Sequence, residues 1–261
     1  MKKIISFFLA LALAAPLFAQ TKEWKIALHI DPNVSWIKPD SKHITEGDNK
    51  INFGFGLSID KMFTENYAIG TGFNIMNVGG SLTYFEEATG PAGERTIAQL
   101  QRAYNLQYAE VPITLKLRTN EIGYMTYWAQ VGLGIGVNIK SKSDDLVDFK
   151  KVAIDSADVT VRWGDATQIL DDDIEDEDIG EDIGIFRTSL IIGGGIEYNL
   201  SGDASIVAGL IFNNGFSNIL NGSGVEDSNG EPVINSSDQT LKTFKLRGMS
   251  NVVSLQIGFL F

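Results

Sequence analysis

The chain has 261 residues, no cysteine, and 33 acidic against 21 basic side chains, a formal charge of −12. That balance argues against phosphate backbones, and so against nucleic acid, as a partner. The missing cysteines exclude disulfides, thiol nucleophiles and thiolate metal centres.

The chain opens MKKIISFFLALALAAPLFAQ, with Lys2 and Lys3 ahead of an apolar run too short for a permanent spanning helix and small Ala19 at its end. This predicts a signal peptide over 1–19 and one mature domain over 20–261, because no Pro- or Ser-rich linker divides the remainder. Without the two lysines of the leader, 19 basic residues face 33 acids, a charge of −14.

From Trp24 onward the apolar residues recur with period two, the signature of strands. Trp24, Ile26, Leu28 and Ile30 mark strand one; Ile51, Phe53, Phe55, Leu57 and Ile59 mark strand two; Tyr67, Ile69, Thr71, Phe73 and Ile75 mark strand three. Strand four runs from about Ala103 to Arg118, and a switch of apolar parity between Tyr108 and Val111 predicts a bulge near Glu110, Val111 and Pro112. Strand five alternates Tyr127, Ala129, Val131, Leu133, Ile135, Val137 and Ile139 with small or polar residues. Strand six carries Leu190, Ile192, Ile196 and Tyr198 around Gly193, Gly194 and Gly195, strand seven carries Ile206, Ala208, Leu210 and Phe212, and strand eight is VSLQIGFLF.

Eight strands with short turns (DKMFTEN, TNEIG, NLSGD) alternating with long loops sort all the long loops to one rim. The set opposite the aliphatic one is mostly Gly, Ser and Asn, which suits a narrow filled interior better than a water-facing surface. Trp24, Tyr67, Tyr127, Tyr198 and Phe261 fall near strand ends, where interfacial aromatics belong. The expected fold is all-β: an eight-stranded antiparallel up-and-down transmembrane β-barrel of the bacterial outer membrane, monomeric, with periplasmic termini and turns and extracellular loops.

The leader, the strand pattern, the segment YAEVPITLKLRT (Tyr108 to Thr119) and the terminal QIGFLF together resemble the PorT-like outer-membrane barrels of Bacteroidota. Tyr108, Glu110, Pro112 and Lys116 match the aromatic, Glu, Pro and Lys positions of that family, and Ile257, Phe259 and Phe261 resemble a barrel-assembly signal. The resemblance implies outer-membrane lipids and the barrel assembly machinery as partners, and a type IX secretion or gliding role for some members. Catalytic residues are not part of that family's pattern, so none are carried over, and no cofactor is expected beyond a possible calcium ion in the acidic loop.

Three candidate sites stand out. Asp171, Asp173, Glu175, Glu177 and Asp178, within DDDIEDEDIGED, are calcium candidates, although the spacing departs from an EF-hand and a solvated acidic loop is the simpler reading. Lys25, Lys116, Arg118, Arg187 and Glu197, with Glu110, face inward and predict an ion-pair network across the barrel rather than a conducting pore. His29 shares that inward face near the outer end of strand one, but neither a carboxylate nor a serine is evident within reach, Ser58 being placed near the opposite rim. The chain is therefore expected to be a structural or interaction protein, with surface binding through the acidic loop and the loop from Asn213 to Ser250 as the alternative. A lipid-modifying enzyme or narrow channel stands third.

Overall fold

Period-two alternation carries eight long antiparallel strands into a closed ring. The computed structural model describes residues 23–89, 95–150, 152–153, 162–163, 172–202, 204–228, 231–233 and 241–261, so the expected signal peptide lies outside the described residues. The strands are β1 Trp24–Pro39, β2 Thr45–Met62, β3 Tyr67–Thr89, β4 Arg95–Arg118, β5 Met125–Lys150, β6 Phe186–Ser201, β7 Ala204–Gly215 and β8 Gly248–Leu260. Each pairs with the next, and β1 returns to β8 from Ala27↔Leu260 to Pro39↔Gly248. The seam is finished by the last residue, whose N–H donates to the Ile26 carbonyl at 2.8 Å while Ile26 N–H donates back at 3.1 Å. No long strand is left with a free edge where the ring is complete, which removes the usual template for aggregation.

The short turns lie at one rim. Gly123 and Gly202 take left-handed φ values of 59° and 62° there, a conformation that costs glycine little. Asn66 Nδ2 donates to the Arg118 carbonyl and to Asn120 Oδ1, both at 2.9 Å, and Asn199 Nδ2 donates to Glu121 Oε2 at 3.2 Å, so neighbouring turns are fastened together.

At the other rim the strands outrun the expectation. The sequence reading ends strand three at Ile75, begins strand four near Ala103 and closes both sides with long loops. In the structure β3, β4 and β5 continue as 23, 24 and 26 residues, and the β1–β2 connection shrinks to residues 40–44. A tilted strand needs only about 9–11 residues to cross a bilayer, so more than half of each of these three strands lies beyond such a span. Two of the connecting segments add further strands: Asp172–Asp178 pairs with β5 across Lys142–Val147, and Ser223–Val225 pairs with Thr243–Lys245 and sets Val225 opposite Phe85 of β3. The ring therefore has eight strands, but the molecule has more.

The change in surroundings explains why those extensions escape a hydropathy reading. Along β4 the even residues from Ala98 to Lys116 face inward without a break. Below Ala109 the inward set is polar (Glu110, Thr114, Lys116) and the outward set is Val111, Ile113, Leu115 and Leu117, 40–55% exposed. Above it the inward set becomes Ala98, Leu100, Tyr104, Leu106 and Tyr108, and the outward set Gln99, Gln101, Asn105 and Gln107. The apparent parity switch is this exchange of inside and outside chemistry, not a bulge at Glu110–Pro112. The bulge is on β5, where Gln107 pairs with Lys140 but Tyr108 with Asn138. There the inward residues pass from Gly134 and Gly136 to Ser141, Ser143, Asp145 and Val147.

Candidate functional site: a filled lumen under a folded cap

The inward residues of the lower barrel meet as two charge clusters. Near the short-turn rim, Lys116 Nζ donates to Asp60 Oδ2 at 2.8 Å and lies 3.2 Å from Glu197 Oε1, and Glu197 also pairs with Arg118. Lys116 additionally sits 4.9 Å above the Trp128 ring. Lys25, paired in register with Asp60, faces the same end. Higher up, the fully buried Arg187 donates from Nη1 to Glu110 Oε2 at 2.8 Å, from Nε to Ser250 Oγ at 2.6 Å and from Nη2 to Asn213 Oδ1 at 2.9 Å. Asn213 Nδ2 closes the circuit on Glu110 Oε1 at 3.0 Å. Burial of charge is tolerated only with this degree of pairing and hydrogen bonding. Sequence reasoning did not pair Asp60, Asn213 or Ser250 with these charges: Asn213 and Ser250 stood as the ends of a surface loop, whereas both are buried strand residues of β7 and β8, and the inward parity of Asp60 on β2 was the available signal.

The opposite wall is apolar, with Trp128, Ile191, Val207, Ile211, Ala27 and Leu260 packed together. Glycines make room for it. A Cβ at Gly195 would stand 2.8 Å from Trp128 Cζ2, and one at Gly209 would stand 2.8 Å from its Cη2. The Gly193–Gly195 run thus serves close packing.

His29 sits mid-barrel, because β1 runs on to Pro39, rather than near an outer end. A carboxylate does reach it: Nδ1 lies 2.8 Å from Asp31 Oδ2, two residues along the same face. Ser58 shares one chamber with them instead of lying at a far rim. His29 makes no hydrogen bond to a serine among the described residues, and the chamber has a volume of about 70 Å³. That is room for a few waters, far below the 300–1,000 Å³ of a typical organic-ligand site.

Above the charges, an apolar core closes the barrel. Val78, Leu82, Tyr84, Leu100, Tyr104, Leu106 and Tyr108 of β3 and β4 pack with Ile179 and Ile183 from the β5–β6 connection, and with Ile219, Leu220 and Leu246 from the β7–β8 connection. Backbone bonds interlock the two connections: Gly184 N–H donates to Ile219 O at 2.9 Å and Asn221 N–H to Asp182 O at 2.7 Å, while Ile219 N–H donates to Gly248 O of β8 at 2.9 Å. Arg102 clamps the cap from inside. Its Nε and Nη2 donate to Asp145 Oδ2 at 2.9 and 2.7 Å, and Nη1 donates to Asp182 Oδ2 at 2.8 Å. Burial pushes the Tyr104 hydroxyl up to about 12 and holds the nearby Glu86 carboxyl above its ordinary range, with Arg102 opposing both shifts.

The described calcium candidates form no metal-holding group. Asp171 lies outside the described residues, and Asp173, Glu175, Glu177 and Asp178 are spread along the strand paired to β5. Glu175, Glu177 and Asp178 are exposed. Among the described residues no group of three or more His, Asp or Glu side chains is arranged to hold a metal ion. Ile257, Phe259 and Phe261 stand on the outward face of β8 and its end, 39–55% exposed.

A family model described as "Outer membrane protein beta-barrel domain" matches residues 18–163, more than half of the chain. No curated protein matches it in sequence. Among solved structures it is similar to Ail of Yersinia pestis in complex with the heparin analogue sucrose octasulfate, at 16% identity over 92% of this chain and 99% of that one, TM-score 0.37. It is also similar to OprG from Pseudomonas aeruginosa (11% identity, 92% and 95% covered, TM-score 0.37) and to AlkL in DMPC lipid bilayers (10%, 93% and 92%, TM-score 0.38).

Proposed function

The chain belongs to the outer membrane protein beta-barrel domain family, and from that premise we propose that it is a non-catalytic membrane anchor whose folded cap is an interaction surface outside the cell. The observation that carries this reading is the continuation of β3, β4 and β5 past the aliphatic belt into a cap with its own apolar core. A barrel that only had to span lipid would need none of it. A pore is disfavoured by the same core, which fills the lumen above Arg187, and catalysis by the small chamber and by the absence, among the described residues, of a nucleophile bonded to His29. In this orientation the termini and short turns face the periplasm. By its resemblance to the PorT-like barrels, the protein is an accessory of type IX secretion or gliding that binds its partners through the cap. The outward acidic strand Asp172–Asp178 supports an alternative use of the same surface, capture of a cationic ligand.

An epitope inserted after the exposed Ser228 tests both orientation and role. Antibody should reach it on intact cells, and crosslinked capture through it should return secretion or motility components. Antibody access only after cell rupture overturns the orientation; reproducible recovery of the barrel alone overturns the accessory role.

A further inference from the structure

The outward face of the β1–β8 seam changes chemistry at one level. On β1 the outward residues run apolar from Trp24 through Ile30 and Val34 to Trp36. At about 3.3 Å per residue and a tilt of about 45°, that run rises about 28 Å, the depth of a hydrocarbon layer. Trp36 ends it, stacked on Phe212 of β7 at 6.4 Å between ring centroids. The next outward position on β1 is Lys38, in register with Met249 of β8, and the next beyond Met249 is Arg247, whose carbonyl accepts the Asp40 N–H at 3.0 Å. Lys38 and Arg247 are thus diagonal neighbours across the seam, directly above the apolar wall. Lys42, in the β1–β2 connection, and Lys245, before Arg247 in the chain, extend the patch, and all four cations are exposed.

Among the described residues none of the four forms an ion pair, whereas Lys61 is held by Glu23 and Lys142 by Asp176. The exposed acid Asp40 stands opposite Arg247 in the backbone and makes no ion pair either, so the patch keeps a positive excess. The acidic strand Asp172–Asp178 hangs on β5, which the ring order sets diametrically opposite β1. A chain of net negative charge therefore carries its acids on one flank of the cap and free cations on the other. Half-buried Asn214 of β7, outward and in register with Asn251, adds a neutral hydrogen-bonding group near the top of the same wall.

Arginine and lysine just above a lipid-facing wall suit a phosphate whose parent molecule also carries acyl chains. We propose that the seam binds a phosphorylated acyl glycolipid of the lipid A class in the outer leaflet. Its acyl chains lie along Val34, Trp36 and Val253, its phosphate is held by Lys38 and Arg247, and Asn214 meets its sugar hydroxyls. The assignment rests on the orientation proposed above, in which this rim faces outward.

The test mixes the full mature chain, refolded in a zwitterionic detergent, with monophosphoryl lipid A or with the same lipid stripped of phosphate, and native mass spectrometry reads the retained lipid. Wild type should hold the phosphorylated form at least about tenfold more tightly, and Lys38→Gln with Arg247→Gln should bring the two forms within about twofold, at about fivefold per cation. Lys142→Gln, which alters a cation already held by Asp176, should leave the preference intact. Should the double variant refold poorly, each single variant should show its own loss of about fivefold. A wild type without the preference, or a double variant that keeps it, overturns the proposal. Equal retention of phosphatidylglycerol, or displacement of the lipid by an equal concentration of inorganic phosphate, overturns the choice of glycolipid. Detergent presents both rims to the lipid, so this result is independent of orientation: antibody access to the Ser228 epitope only after rupture removes the orientation alone, and lost lipid preference removes the lipid site alone.

Discussion

Replacing Arg187 by Met removes the cation paired with Glu110 in the middle of the barrel. Arg187 is fully buried and Glu110 is 1% exposed, so neither can turn to bulk water when its partner is lost. After the change Glu110 retains Asn213 Nδ2 at 3.0 Å and Ser189 Oγ at 3.4 Å, two neutral donors in place of a guidinium-type bond at 2.8 Å. Leaving a buried charge uncompensated costs about 3–5 kcal/mol. Glu110→Gln should cost a similar amount by stranding Arg187 with only Ser250 and Asn213. The double variant, which removes both charges of this pair, should be less destabilised than the sum of the singles by about 1–3 kcal/mol. Reversible urea unfolding in short-chain phosphatidylcholine vesicles, followed by tryptophan fluorescence, measures all four chains. A single-variant loss below 1 kcal/mol, or additivity within about 0.5 kcal/mol, refutes the claim that this pair is a coupled, desolvated unit.

Other outcomes follow from the same geometry. Ile135→Arg, outward in the aliphatic belt, should cost about 2–4 kcal/mol, whereas Gln101→Arg, outward on the cap portion of β4, should stay within about 0.5 kcal/mol; vesicle unfolding compares them. Arg102→Ala should loosen the cap without unfolding the barrel, read as faster hydrogen exchange at Ile183 and Leu220 with unchanged exchange at Val131 and Leu133. Glu86 binds its proton more tightly in the folded cap than in the unfolded chain, so cap stability should fall as pH rises from the ordinary carboxylate range to the raised value and then level off. Glu86→Gln should remove that slope in thermal melts taken across the acidic range, and an unchanged slope assigns it elsewhere.

What the sequence made legible was the part of the chain that faces lipid. Val131, Leu133, Ile135 and Val137 announce β5 because aliphatic and small residues alternate strictly there, and the outward residues of β8 do the same. The cap was not legible, because above the belt the same strands behave as ordinary water-facing sheet. Gln99, Gln101 and Asn105 read as loop when they stand outside, and Leu100, Tyr104 and Leu106 inside look like a change of parity. The bulge at Lys140 on β5 hid the register as well. Lys116, Arg118 and Glu197 could be paired by inward parity alone. Asp31 escaped because its partner His29 is two residues away on the same strand, a contact that looks local and not structural. Arg102 with Asp182 joins residues far apart in sequence through a connection whose path no periodicity encodes.

The most direct test of the central claim, that β4 crosses from a lipid-facing wall into a folded extracellular cap, is a single-cysteine scan along its outward residues. The chain has no cysteine of its own, so each probe is unique. Cysteines at 99, 101, 105, 111, 113, 115 and 117 would be challenged on intact cells with a membrane-impermeant maleimide. Labelling at 99, 101 and 105 with protection at 111, 113, 115 and 117 is expected. Protection at 99 and 101, or labelling that continues through 113 and 115, would contradict the account.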